Sequence, residues 1–216
     1  MRKSYYSVFK IVVPFLLLIF VYAIIRYNLG KGVDFALLPT YILNKAVSTT
    51  AIFTISLSYL YSSLGKLKVI SPGRSSLKKQ FGIVGFFLAL SHLFLSLSQL
   101  NPERYPKFFL ETGFVNTVGE FTFLFGLLAF ISILFPAYAT LPESVKNLSR
   151  KKWLLMQRVG YLAILFAIGH TVAMGFNGWI KIESWPFYMP PISLIGSLVA
   201  VPSILLRLYV LITLKK

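Results

Sequence analysis

Long apolar runs alternate with short polar breaks along the whole chain. Six runs of about 20 residues carry very few charged side chains, and this is the length that a helix needs to cross a membrane. The breaks are rich in Gly, Pro and Ser, which mark loops. Transmembrane strands would instead alternate apolar and polar residues over about ten positions. The pattern predicts an all-α membrane protein, a six-helix transmembrane bundle with spans at about 8–26, 44–64, 80–100, 115–137, 153–176 and 192–213.

The first run follows Arg2 and Lys3, as the apolar region of a secretory signal peptide would. It is long, however, and no clear cleavage site of small residues leads into a polar mature region. We therefore interpret it as the first span of the bundle.

Composition supports a membrane protein and narrows its chemistry. Of the 216 residues, 56% are hydrophobic and 13% are charged, against about 25% charged residues in a soluble domain. A soluble globule and a disordered chain are thereby excluded. The absence of cysteine excludes disulfides, thiolate zinc sites, iron–sulfur clusters and covalent c-type haem attachment. The length suits a single domain over residues 1–216.

The net charge of +16 is distributed unevenly between the loops. In a soluble protein it would suggest a nucleic-acid partner, but in an apolar chain it indicates membrane orientation, and we expect no nucleic acid. Basic residues concentrate in both tails and in the loops after the second and fourth spans. Because basic loops stay inside, we expect a multi-pass protein of the plasma membrane, surrounded by lipid, with both termini in the cytoplasm.

The two histidines of the chain both fall inside predicted spans. His92 lies in the third span and His170 in the fifth, each ten residues after a glycine, Gly82 and Gly160. Ten helical residues rise about 15 Å, so the two imidazoles should lie at similar depth on two parallel helices. They could clamp a planar metal macrocycle, or simply form hydrogen bonds across the bundle.

Ionisable groups inside a membrane are rare and usually functional, which favours the metal interpretation for the histidine pair. Zinc usually takes three or four protein ligands, and the spans offer few others. One b-type haem with two histidine ligands is therefore the predicted cofactor.

Several segments around the histidines resemble a known family. The basic pair at 78–79 and the glycine- and phenylalanine-rich helix that follows it precede His92, and 157–170 lead to His170. Two loop segments follow, at 177–182 and 188–191. In this order they resemble the ferric reductase-like transmembrane family, most of all the haem domain of the STEAP metalloreductases, over about residues 74–213.

This resemblance implies a fold, a cofactor and an activity. In that family two histidines ligate one haem b, and electrons pass from a cytoplasmic flavin through the haem to a metal ion or oxygen outside. By position, His92 and His170 would be the axial ligands of the haem iron. The protein would be an oxidoreductase component, similar to a metalloreductase.

The fifth span is similar to a second relative, the MsrQ/YedZ haem subunits, which work with a periplasmic redox partner. The similar positions are Trp153, Arg158 and Tyr161. Gln157 stands where that motif has its first histidine. Arg158, Gln157 and Lys79 lie at the inner ends of their spans, and they are candidates to contact a flavin, FAD or FMN, or a haem propionate.

The resemblance leaves the electron donor open. Few residues precede the first span, and no GxGxxG motif opens a nucleotide-binding unit, so we expect no domain of its own for NAD(P)H. A cytoplasmic reductase, free reduced flavin or a quinol would supply electrons to a ferric or cupric chelate, oxygen or a periplasmic redox partner. A homo-oligomer is compatible with the pattern. The alternative is a non-redox six-helix membrane protein, transporter-like or an assembly subunit, whose histidines are structural.

Overall fold

A computed structural model describes residues 2–214, with side chains from Tyr5 to Leu214, and the chain is helical almost throughout. Six long helices occupy the positions where the sequence predicts spans. They are α1 (Arg2–Ala23), α2 (Leu43–Lys66), α3 (Lys78–Leu97), α4 (Thr117–Tyr138), α5 (Arg150–Trp179) and α6 (Ile192–Thr213). The terminal bases on which part of the orientation prediction rests have side chains outside the described residues: Arg2, Lys3, Lys215 and Lys216.

Short helical turns fill the connections at both ends of the bundle. One end holds Ile24–Leu29, Phe35–Leu37, Leu38–Ile42, Pro106–Phe108, Ile182–Ser184 and Pro186–Tyr188, and the other holds Pro72–Ser75 and Pro142–Asn147. The side chain of Asn116 accepts a hydrogen bond from the Gly119 amide at 2.9 Å and so caps the start of α4. Pro191 lies directly before α6. Proline is tolerated at the start of a helix because a backbone N–H at that position would have no acceptor within the helix.

Five helical stretches are long and apolar enough to cross a membrane. They are Tyr5–Leu29, Pro72–Leu97, Thr117–Tyr138, Arg150–Trp179 and Pro186–Thr213. The all-α architecture of a multi-pass membrane protein is therefore supported. The sixth crossing, by α2, and the cytoplasmic position of the termini stay predictions.

The helix α2 differs from the others because it is polar and enclosed. It carries eight Ser and Thr residues. The hydroxyls of Thr50 and Thr54 donate to carbonyl oxygens one turn back, at 2.8 and 2.7 Å, so that these buried groups are satisfied within the helix. About half of its residues are buried, because α2 packs against α1, α3 and α6. A helix shielded in this way needs less apolar surface than one that faces lipid.

The packing of the other helices leaves a gap in the bundle. Helix α4 pairs closely with α5, and α5 with α6, whereas α3 makes few contacts with α4 and hardly any with α5. Towards the end of the bundle where α5 begins, the gap closes on a core that includes Ile55, Tyr59 and Ile164. Gly160 permits this closure, because a Cβ atom there would lie 1.4 Å from the Tyr59 hydroxyl oxygen.

Candidate functional site

The two histidines face each other across the gap between α3 and α5. The centres of the His92 and His170 rings are 6.3 Å apart, and the ring planes are inclined by 73°. A metal–nitrogen bond of about 2 Å, with about 1 Å more from that nitrogen to the ring centre, would put the centres of two opposed imidazoles about 6 Å apart. The spacing of the rings thus suits one metal ion between them.

Each imidazole is oriented by a hydrogen bond at Nδ1. His170 Nδ1 lies 2.8 Å from the carbonyl oxygen of Thr122, which can only accept, so this nitrogen carries the proton. His92 Nδ1 lies 2.7 Å from Asn44 Oδ1, and the Asn44 amide donates to Ser96 Oγ at 3.0 Å. Among the described residues, Nε2 of neither ring makes a hydrogen bond. Both Nε2 lone pairs are therefore available to a metal, with the second nitrogen fixed as in known metal sites.

A cavity of about 1150 Å³ opens beside the two rings. It is larger than the roughly 300–1,000 Å³ of most small-molecule pockets. Apolar side chains from four helices dominate its wall, among them Ile52, Leu93, Phe130 and Ala167. Thr122 lies in the wall too, and its buried hydroxyl oxygen has no hydrogen-bond partner. A wide apolar space beside two free imidazole nitrogens suits a large planar ligand that carries a metal.

A glycine on α4 allows His170 to reach its position. A Cβ atom on Gly126 would lie 2.9 Å from His170 Nδ1, closer than side chains normally approach. In the part of the chain that the structure describes, no group of three or more His, Cys, Asp or Glu residues is placed to hold a metal. The two imidazoles are thus the candidate ligands that this region offers.

Four basic side chains line the end of the cavity formed by the connections after α1, α3 and α5, which is named the outer end because the predicted orientation places it outside. They are Arg26, Lys31, Lys45 and Lys107. No acidic side chain of the described residues lines the cavity with them. The sequence offered one signal for this cluster, because all four are bases on the side where the positive-inside rule expects few.

Lys107 lies in the connection between α3 and α4. Its side chain is partly exposed and also lines the cavity. Its ammonium group donates to the carbonyl oxygen of Met174 at 3.0 Å. Desolvation by burial, with smaller effects of the positive charges of Lys45 and Lys31, lowers the pKa of Lys107 to about 8. Burial likewise raises the pKa of Tyr105, its neighbour in this connection.

The three inner candidates from the sequence lie elsewhere. Lys79 and Arg158 are exposed, and neither they nor Gln157 line the cavity. The side-chain amide of Gln157 donates to the Pro136 carbonyl at 3.3 Å, and the backbone carbonyl oxygen of Gln157 accepts from the Tyr59 hydroxyl at 3.1 Å. Their predicted contact with a flavin or a haem propionate stays a prediction.

Comparison with known proteins gives a distant relationship. No family model matches the chain. Human (Homo sapiens) metalloreductase STEAP2 is 24% identical to it over a match that covers 80% of this chain and 42% of the relative. Mouse (Mus musculus) metalloreductase STEAP2 gives the same identity and coverage. The chain thus spans about two fifths of the length of these relatives. Both relatives are STEAP metalloreductases, the group that the motifs around the two histidines resemble.

Proposed function

We propose that the chain is a haem b-binding transmembrane electron-transfer protein of the ferric reductase-like kind. It would move electrons from a donor at the cytoplasmic face to an acceptor at the outer face. The observation that carries this proposal is the pair of histidine rings, 6.3 Å apart, with both Nε2 atoms free beside a wide apolar cavity. The distant similarity to metalloreductases supports it.

The chain's own residues would bind and orient the cofactor. His92 and His170 would hold the haem iron through Nε2, while Asn44 and the Thr122 carbonyl keep the rings in place. The apolar wall would exclude water. When bound, haem b supplies an iron that accepts and releases one electron at a time.

The partners and the orientation belong to the same proposal. The donor would be a cytoplasmic reductase, free reduced flavin or a quinol, and the acceptor a ferric or cupric chelate, oxygen or a periplasmic redox partner. The whole of 1–216 would act as one domain of six spans in the plasma membrane, with α2 as the shielded crossing. Arg158, Gln157 and Lys79 would serve a flavin at the inner face.

A difference spectrum tests the cofactor directly. The detergent-purified chain, reduced with dithionite minus oxidised, should show a sharp low-spin b-type spectrum with close to one haem per chain. His92→Leu and His170→Leu should each abolish it, because each removes one axial nitrogen. Phe94→Leu, at a position on α3 that is 63% exposed, controls for expression and insertion.

The alternative, a non-redox membrane protein with structural histidines, predicts the opposite. The wild-type chain would then be colourless even after expression with a haem precursor. Normal haem content and spectrum in both histidine variants would likewise contradict the proposed ligands.

A further inference from the structure

The outer end of the cavity carries positive charge without a counter-charge. Arg26 is only 2% exposed, and its Nε atom is buried without a hydrogen-bond partner. Its Nη1 donates to the Met189 carbonyl, and no carboxylate of the described residues pairs with it. A buried guanidinium without an anion is unfavourable, because desolvation is not offset by an opposite charge. This end of the cavity is therefore built for an anion.

Two of the three lysines in the cluster, Lys45 and Lys107, each lie near one of the histidines. Lys45 follows Asn44, the hydrogen-bond partner of His92, and its ammonium group lies 4.1 Å from the centre of the Tyr41 ring. It is near enough to His92 for its charge to act on that ring.

On the other side of the cavity, Lys107 is tied to Met174, one helical turn beyond His170. One turn is about 5–6 Å along the helix, so this lysine reaches the cavity on the outer side of His170. One of its three N–H donors is used on the Met174 carbonyl, and two remain. The lysines thus approach the ring pair from two sides and at the same end.

We propose that Lys45 and Lys107 bind the two propionate carboxylates of the haem that His92 and His170 hold, so that the propionates point to the outer face. This inference rests on the proposed function. Haem b carries two carboxylates, which match two ammonium groups, and charge-assisted hydrogen bonds are the strong class of such contacts. Arg26 adds positive charge behind Lys45, since both lie against the Tyr27 ring, at 5.5 and 4.7 Å from its centre.

The same cations would also suit a separate carboxylate ligand, such as the chelator of a metal acceptor. The two sources differ in one respect, because only the propionates are part of the haem. Haem whose propionates are esterified to methyl groups keeps the iron and the macrocycle but loses both charges. Comparing haem with its dimethyl ester therefore isolates the carboxylates.

The experiment titrates the haem-free, detergent-purified full chain with haem or with haem dimethyl ester, and follows the low-spin absorption band. It uses the wild type, Lys45→Met, Lys107→Met and the double variant. We expect wild type to prefer haem, and each substitution to reduce that preference about tenfold, which corresponds to about 1.4 kcal/mol. Affinity for the ester should hardly change, and Lys→Arg at either position should restore most of the preference.

Lys10→Met is the matched control. Lys10 also lies over an aromatic ring, with its ammonium group 4.4 Å from the centre of Tyr6, but it does not line the cavity. The preference of the Lys10→Met variant for haem over its dimethyl ester should equal that of the wild type.

The outcomes separate this inference from the function on which it rests. A low-spin band with an undiminished preference for haem in the double variant would overturn the propionate assignment alone. So would a wild type that binds haem and ester equally, which would leave the cations to a separate anion. If the wild type forms no low-spin band with either compound, the haem proposal and this inference both fail.

Discussion

The hydrogen bond between Asn44 and His92 offers a sharp test of the site. Asn44 is 4% exposed, and its Oδ1 lies 2.7 Å from His92 Nδ1. Asn44→Ala removes this acceptor. Ser96 Oγ, at 3.3 Å from the same nitrogen, remains as a weaker substitute. Loss of an outer partner of a metal-bound histidine typically costs 10–100-fold in metal affinity. Because Ser96 remains, we expect the lower end, about tenfold or about 1.4 kcal/mol.

The matched control changes Thr122, the residue that holds the other histidine, His170. His170 Nδ1 is held by the backbone carbonyl of Thr122, so Thr122→Val removes only a buried hydroxyl that has no partner. Haem affinity should stay within about twofold of the wild type, because the oxygen that orients His170 is still present. The assay is the same absorption titration of haem-free protein.

Changing the charge of the group that accepts the hydrogen bond from His92 Nδ1 gives a second readout. Asn44→Asp would place a carboxylate on the Nδ1 proton of His92, raise the basicity of the ligand and favour the ferric form. A redox titration should therefore show a lower reduction potential, by about 60 mV for each tenfold preference for the ferric form. Wild-type affinity in Asn44→Ala, an equal loss in Thr122→Val, or a raised potential in Asn44→Asp would refute the assigned orientation of His92.

Three further predictions concern packing, charge and topology. Gly160→Ala should destabilise the chain by about 1–3 kcal/mol, seen as a lower melting temperature in detergent, because its Cβ would overlap Tyr59. In the haem-free protein, the pKa of Lys107 is about 8 instead of 10.5, so the unfolded chain binds more protons between these values and stability should rise with pH from 8 to 10.5. Lys107→Met should flatten that rise. In this cysteine-free chain, single variants Ala36→Cys and Arg74→Cys, which flank α2, should react with an impermeant thiol reagent from the outer and the inner face respectively.

Gly73→Ala is the control for Gly160→Ala, since a Cβ at Gly73 would have no contact within 4 Å. Equal melting temperatures for the two glycine variants would contradict the predicted overlap with Tyr59. For the pH dependence, Lys10→Met should behave as wild type, and an unchanged slope in Lys107→Met would show that the pKa of Lys107 is not lowered in the folded chain. Labelling of Ala36→Cys and Arg74→Cys from the same face would show that α2 does not cross.

The sequence predicted the helices because apolarity and length are local properties of a span. It did not anticipate that α2 would fall short of the apolarity of the other five. The Ser and Thr residues of α2 are tolerated because neighbouring helices, not lipid, surround them, and that is a property of the packed bundle. The histidine pair was recognisable, since His92 and His170 are the only two histidines and both lie in apolar runs.

The partners of the histidines could not be read from the sequence. Thr122 acts through its backbone carbonyl, which leaves no mark on the choice of side chain. Asn44 acts because α2 and α3 pack side by side. Arg158 stood out in the sequence because it lies inside the fifth span and matches a family motif, whereas the bases of the cavity lie on the side where the positive-inside rule expects few. Lys107 reaches the cavity only because its connection folds back onto α5.

The proposed contact between Lys107 and a propionate would couple haem binding to the uptake of a proton. The charged form of Lys107 is disfavoured by burial and by Lys45 and Lys31, and a carboxylate beside it would favour that form again. Haem binding should therefore raise the pKa of Lys107 above 8, and the protein should take up a proton as it binds at pH 9. By linkage, wild-type haem affinity should fall as the pH rises above about 8. The ratio of wild-type to Lys107→Met affinity should decline over the same range, and a ratio independent of pH would mean that Lys107 does not meet the propionate.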